Sequence, residues 1–103
     1  MRVIALSTLR DFWEQPQYRD AQEPLVAWLQ EVQACVWRAP ADVKAQFGNA
    51  SILKGRRVVF NIKGNDYRLV VAVAYRFAAV YVKFVGTHAQ YDAIDADTVE
   101  VQS

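Results

Sequence analysis

The stretch from Val58 to Val85, VVFNIKGNDYRLVVAVAYRFAAVYVKFV, is dense in β-branched and aromatic residues and is broken only at Gly64-Asn65 and at Arg76 to Ala79. Such runs between turn residues read as strands, here Val58 to Lys63, Tyr67 to Tyr75 and Val80 to Val85. Ile52 to Lys54, set off by Lys54-Gly55-Arg56, adds a fourth. Links this short make neighbouring strands antiparallel, because a parallel return needs a crossover of about a dozen residues or more. A two-residue turn at Gly64-Asn65 sets Lys63 opposite Asp66, Asn61 opposite Arg68 and Phe60 opposite Leu69. A four-residue loop of Arg76 to Ala79 sets Val73 opposite Val82, Ala72 opposite Lys83 and Arg68 opposite Thr87.

Side chains alternate across a sheet, so Val58, Phe60, Ile62, Leu69, Val71, Val73, Tyr75, Val80, Val82 and Phe84 are expected to share the face that takes the helices. The other face then collects Asn61, Lys63, Arg68, Tyr81 and Lys83 above the small residues Ala72 and Ala74, with His88 and Tyr91 just past the last strand. A polar outer face is ordinary for a half-buried antiparallel sheet. This one combines cations, an imidazole and phenols with almost no acids.

Upstream the period changes. Arg2 to Leu6 is apolar enough for a short strand added to the sheet, and Ser7 is placed to cap a helix carrying Leu9, Phe12 and Trp13 that ends at Pro16. Asp20 and Glu23 have capping-box spacing ahead of Leu25, Trp28, Leu29, Val32 and Cys35 or Val36, one apolar stripe of about four turns closed by Ala39-Pro40. Ala41 to Phe47 reads as a further helical turn or two before Gly48-Asn49. The expected architecture is α+β, with N-terminal helices packed on one face of a small, mainly antiparallel sheet, in a single domain spanning residues 1–103.

The chain has 103 residues, 53% hydrophobic and 13% aromatic, which is the composition of one folded domain. Its longest near-apolar run, Leu69 to Tyr75, is far below the roughly twenty residues of a membrane span, and no secretory leader pattern opens the sequence, so a cytosolic location is expected. Cys35 and His88 are the only residues of their types, which excludes an internal disulfide, a cysteine zinc cluster and a two-histidine metal site. Neither a metal nor a cofactor is expected. The net charge of +1 hides an uneven distribution. Lys54, Arg56, Arg57, Lys63, Arg68, Arg76 and Lys83 fall between positions 54 and 88 against Asp66 alone, while the tail returns Asp92, Asp95, Asp97 and Glu100. A positive surface of this kind attracts phosphate irrespective of sequence.

The blocks Val59-Phe60-Asn61-Ile62-Lys63-Gly64-Asn65-Asp66-Tyr67-Arg68-Leu69-Val70 and Val80-Tyr81-Val82-Lys83-Phe84-Val85-Gly86-Thr87-His88-Ala89-Gln90-Tyr91-Asp92 resemble the HigB toxins of bacterial type II toxin–antitoxin systems. Phe12-Trp13-Glu14, the Ala21 to Trp28 segment, Trp37 to Lys44 and Phe47 to Ser51 agree with the same pattern. The resemblance implies a RelE-like fold and an mRNA interferase that cuts message on the translating ribosome and is silenced by a helix-turn-helix antitoxin of the HigA type. It implies contact with DNA only through that antitoxin. Carried onto this chain, it marks Arg68 in the GN-x-YRL block, Lys83 in the next strand, and His88 and Tyr91 in the TH-x-x-YD block, with Lys63 one place before the glycine of the first block. The acidic tail departs from the basic character common in such toxins.

RNA cleavage without a metal needs a base for the ribose 2′-hydroxyl, cations for the phosphorane-like transition state and an acid for the leaving 5′-oxygen. Arg68 and Lys83 are candidates to hold the phosphate. His88 is the candidate for proton transfer, since an imidazole titrates nearest neutral pH. Tyr91 is a candidate hydrogen-bond donor or acid, and Lys63 a second phosphate contact or base. Asn61, Lys54, Arg56 and Arg57 are expected RNA contacts. Two other readings stay open: a non-catalytic module that binds RNA or the ribosome, and an inactive toxin remnant held by an antitoxin.

Overall fold

The computed structural model describes residues 1–101, so Gln102 and Ser103, the end of the expected domain, lie outside the description. In chain order it comprises β1 (Arg2–Ile4), α1 (Leu6–Trp13), a 3-10 helix (Pro16–Ala21), α2 (Gln22–Gln33), α3 (Pro40–Gln46), β2 (Ser51–Ile52), β3 (Arg57–Ile62), β4 (Tyr67–Ala74), a 3-10 turn (Tyr75–Phe77), β5 (Ala79–Thr87) and α4 (His88–Asp92). The five strands form one sheet in the order β1-β5-β4-β3-β2. β1 runs parallel to β5 at one edge and every other pairing is antiparallel, as the short links require. This is the expected α+β architecture.

The helices depart from expectation at their ends. Ala5, in the left-handed region at φ 74°, starts α1, and Ser7 lies inside the helix instead of capping it. Asp20 does not cap α2, because its carboxylate accepts from Lys63 and from the Tyr67 hydroxyl. α2 stops at Gln33, short of Cys35. The Met1 nitrogen donates to the carbonyls of Val32, at 3.0 Å, and Cys35, and the Trp37 amide faces the Met1 sulfur at 3.1 Å. These bonds tie the chain after α2 to the start of β1, and the helix does not continue. Pro40 opens α3 where it was expected to close α2, at a position where a missing N–H leaves no bond unmade. Asp42 reaches back from α3 to accept from the amides of Arg38 (2.8 Å) and Ala39 (3.3 Å).

The β3–β4 register is the expected one, with Phe60 opposite Leu69 and Asn61 opposite Arg68. The β4–β5 register is not. The connecting loop is Tyr75 to Ala78, one residue earlier than expected, with Ala78 left-handed, so Val73 faces Val80 and Ala72 faces Tyr81. A bulge then inserts Lys83 between the Val71–Val82 and Val70–Phe84 pairs, which brings Gly86, not Thr87, opposite Arg68. The shift of two at the loop preserves the inward face up to Val82. The single extra residue reverses it beyond, so Phe84 moves to the helix-free face and Val85 packs on the core.

The core lies between the helices and the inward face of the sheet, joining Leu9, Leu25, Trp28, Val32, Trp37 and Val43 to Val58, Phe60, Leu69, Val71, Val73 and Val80. Phe60 is its aromatic centre. Its ring stacks on Trp37 at 6.1 Å and meets Trp28 and Phe47 edge-on at 5.3 and 5.1 Å. Truncating it removes an apolar ring and three aromatic contacts together. Phe60→Ala should therefore destabilise the protein by about 3–5 kcal/mol in urea unfolding. Phe77→Ala, at a ring 75% exposed, should stay within about 0.5 kcal/mol of wild type.

Candidate active site

The end of β5 and the start of α4 build the part of the molecule with the densest chemistry. Thr87 caps α4 through a reciprocal pair of bonds: its hydroxyl accepts from the Gln90 amide (3.1 Å), and the Gln90 side-chain carbonyl accepts from the Thr87 amide (2.9 Å). The His88 amide donates to the Asp66 carbonyl at 3.2 Å and fastens the helix to the β3–β4 turn. Positions i, i+3 and i+4 of a helix share one side, so His88, Tyr91 and Asp92 are neighbours. His88 Nδ1 lies 3.1 Å from Asp92 Oδ2. The Tyr91 ring lies beneath the Arg68 guanidinium, 6.0 Å from its carbon to the ring centroid. Arg68 itself projects from β4 on the helix-free face, next to exposed Asn61 across the ladder, and is steadied by the carbonyls of Asn65 (3.2 Å) and Tyr67 (3.3 Å). Among the described residues its partners are all uncharged, which leaves the guanidinium charge available to an anion.

The structure thus brings Arg68 together with Asn61 and Tyr91, and Tyr91 shares one side of α4 with His88. Asp92, the partner of the imidazole, was missed as a site residue, although its i+4 spacing from His88 is visible in the sequence.

Lys83 and Arg57 form a second group. Lys83 at the bulge and Arg57 at the start of β3 are both tied to Glu100: Lys83 Nζ donates to one carboxylate oxygen at 2.7 Å, and the Arg57 guanidinium to the other. These bonds hold the Glu100 carboxyl below its ordinary range, the lysine contributing first and the arginine next. Lys83 also lies 5.9 Å from the centre of the Tyr81 ring.

Lys63 stands apart. Left-handed at φ 53°, it turns toward the 3-10 helix and pairs with Asp20 at 2.5 Å and Asp66 at 3.6 Å. The Asp20 hydrogen bond raises the lysine, while Lys63 and then Tyr67 hold the Asp20 carboxyl low. Burial, and then the bond to Asp20, pushes the Tyr67 phenol up to about 12.

Lys54 and Arg56 sit on the exposed β2–β3 turn. Arg56 lines a cavity of about 470 Å³ with Arg38, Arg76, Tyr75 and Phe77, at the opposite end of β4 from Arg68. Among the described residues, no group of three His, Cys, Asp or Glu side chains is placed to hold a metal ion. Among the same residues, no helix is long and apolar enough to cross a membrane.

A small α+β domain with cations and an imidazole on the open face of its sheet has known relatives. Residues 21–94 match the HigB toxin family, described as the RelE-like toxic component of a toxin–antitoxin system. The chain is 30% identical over 98 residues to the mRNA interferase toxin HigB of Escherichia coli K12, covering 93% of this chain and 92% of that one. The same identity and coverage hold for the mRNA interferases HigB of Escherichia coli O157:H7 and Shigella flexneri. The chain belongs to the HigB toxin family.

The Tyr67 environment makes a prediction independent of function. An unfolded tyrosine ionises near pH 10, whereas Tyr67 in the fold holds its proton to about 12. Between those values unfolding releases a proton, so stability is intact below about pH 10 and falls as pH rises through about 12. Urea midpoints measured across this window should decline, and Tyr67→Phe should flatten the decline. An equal slope in both proteins would show that the phenol is not held as described.

Proposed function

We propose that this protein cuts messenger RNA by attack of a ribose 2′-hydroxyl on the adjacent phosphorus, with Arg68, His88 and Tyr91 as catalytic residues and no metal. Membership of the HigB family makes the chain an endoribonuclease toxin of a toxin–antitoxin system. The observation that carries the residue assignment is the side of α4 that sets His88 against Asp92 and Tyr91 against Arg68, on the face of the sheet left free by the helices.

In this reading Arg68 binds the non-bridging oxygens, where its planar fork matches phosphate and its charge offsets that of the phosphorane. Asp92 accepts the Nδ1 proton of His88, which leaves Nε2 to take the proton of the 2′-hydroxyl. The new P–O bond forms as the bond to the 5′-oxygen breaks, and Tyr91 is placed to donate a hydrogen bond or proton to that leaving oxygen. The products are a 2′,3′-cyclic phosphate and a 5′-hydroxyl. Lys83 and Arg57 hold a neighbouring phosphate, with Asn61 beside the scissile one. Lys54 and Arg56 are exposed cations for more distant contacts. Lys63, neutralised by Asp20, braces the β3–β4 turn against the 3-10 helix and has no chemical role. The message is cut on the ribosome, in the cytoplasm, and a helix-turn-helix antitoxin of the HigA type restrains the toxin and supplies any contact with DNA.

Induced expression with primer extension on cellular message tests the assignment. Arg68→Ala should fold normally and lower cleavage by about 10²–10³-fold, the scale for losing one preorganised charge-stabilising donor. His88→Gln should lose about 10²-fold or more, and Asp92→Asn less, because it disturbs only the orientation of the imidazole. Intact RNA bound by the wild-type protein at low salt, with no cyclic-phosphate product, would favour a binding module. Normal cleavage by His88→Gln would remove the histidine from the chemistry.

A further inference from the structure

A phosphodiester chain on the helix-free face meets part of this chain already in place. The segment Ile94-Asp95-Ala96-Asp97-Thr98-Val99-Glu100-Val101 carries three acids and no base. Arg57 Nη1 donates to the carbonyls of Val99 (2.6 Å) and Ala96 (3.2 Å), and its other terminal nitrogen reaches Glu100. Lys83 Nζ completes the grip on Glu100 at 2.7 Å. The two cations come from β3 and β5, so the single carboxylate that joins them lies across β4. Beneath it the row Val59–Val70–Phe84 has Val59 and Val70 buried, on the face opposite the helical core.

One carboxylate oxygen meets a terminal nitrogen of Arg57 and the other the Lys83 ammonium, an arrangement that two oxygens of a phosphate reproduce. The side chains of Arg57 and Lys83 are only 11% and 24% exposed, whereas that of Glu100 is 57% exposed. The cations are set into the sheet and the carboxylate is laid on top. No residue from 94 to 101 is itself buried. A cavity of about 360 Å³, bounded by Phe84, Val85, Ile94 and Val99, remains beside the segment. Beside the apolar contacts of Ile94 and Val99, the segment's grip on Arg57 and Lys83 is ionic, and an ionic grip is one that another anion can take over.

We propose that Ile94–Val101 is an internal competitor of RNA, with Glu100 occupying a phosphate position formed by Arg57 and Lys83 that the substrate must take over. The inference rests on the RNA-cleaving reading above and adds regulation of the same surface. A site covered by its own chain binds with an affinity reduced by the fraction of molecules in which it is open.

The test uses the full chain and a fluorescent 2′-O-methyl oligoribonucleotide, which lacks the free hydroxyl needed for cleavage. With the segment closed about nine-tenths of the time, Glu100→Gln should bind about tenfold more tightly than wild type. Saturating wild-type protein with the same oligonucleotide should speed amide exchange in residues 94–101. Unchanged affinity in Glu100→Gln, or exchange that is unchanged or slower, overturns the competition. If Arg57→Ala then still weakens binding and wild type still yields cyclic-phosphate product from unmodified RNA, the cleavage reading survives without it. Tighter binding by Glu100→Gln and faster exchange, with no RNA cut by either protein, supports the competition and removes the cleavage reading.

Discussion

β4 runs through the middle of the sheet, paired with β5 along its whole length and with β3 from Tyr67 to Ala72, and its alternate residues Leu69, Val71 and Val73 are sealed under the helices. Its intervening residues, Arg68, Val70, Ala72 and Ala74, are thereby committed to the other face, because slipping the strand by one place would bury a guanidinium and expose the core. The bulge in β5 works within this constraint. By adding one residue opposite β4 it gives Lys83 a position outside the strict alternation and lets its amino group meet the same carboxylate as Arg57. It also places Gly86 beside Arg68. A larger residue there would run into Phe84 and Gln90, since a Cβ would lie 2.6 Å from the phenylalanine ring and 2.7 Å from the glutamine oxygen.

Charge on this surface is graded by partner. Lys63 is matched by Asp20 and Asp66, Lys83 and Arg57 share Glu100, and among the described residues Arg68 is held by neutral groups. A uniform basic patch would bind any polyanion weakly everywhere. Here Arg68, held by neutral groups, lies over the Tyr91 phenol, whereas Arg57 and Lys83 lie behind a carboxylate. The near-zero net charge of the chain is the sum of this arrangement and reveals nothing of it.

Much of this was legible from residue order alone. The Gly64-Asn65 turn and the period-two pattern fix the β3–β4 register and place Asn61 beside Arg68. Short links dictate antiparallel neighbours, and the TH-x-x-YD block locates His88 and Tyr91. What was not legible depends on contacts distant in sequence. The position of the β4–β5 loop and the bulge at Lys83 leave no local signature in a run of β-formers. Lys63 looked like a member of the open face because alternation says so, but its left-handed backbone and the Asp20 carboxylate, 43 residues away, draw it to the helix side. The same Asp20 looked like a cap for α2. The acidic tail stood out as a departure in charge, yet nothing in its own sequence says that it folds back on Arg57.

The residue proposed for proton transfer sits on the least self-sufficient element of the fold. Five residues cannot sustain a helix in water, since nucleation is unfavourable and too few bonds follow to offset it. α4 therefore takes its position from what holds it: the Thr87–Gln90 cap, the His88 backbone amide on the Asp66 carbonyl, and the Gln90 side-chain Nε2 donating to the Tyr18 hydroxyl at 3.0 Å. Tyr18 in turn stacks on Phe12 of α1 at 4.5 Å and meets Tyr67 edge-on at 6.3 Å. The orientation of the imidazole is thus set by a relay that runs from the first helix through the 3-10 segment to the end of β5. A change at Tyr18 or Phe12 reaches α4 through the Tyr18–Gln90 bond and reaches β4 through the Tyr67 ring, the neighbour of Arg68.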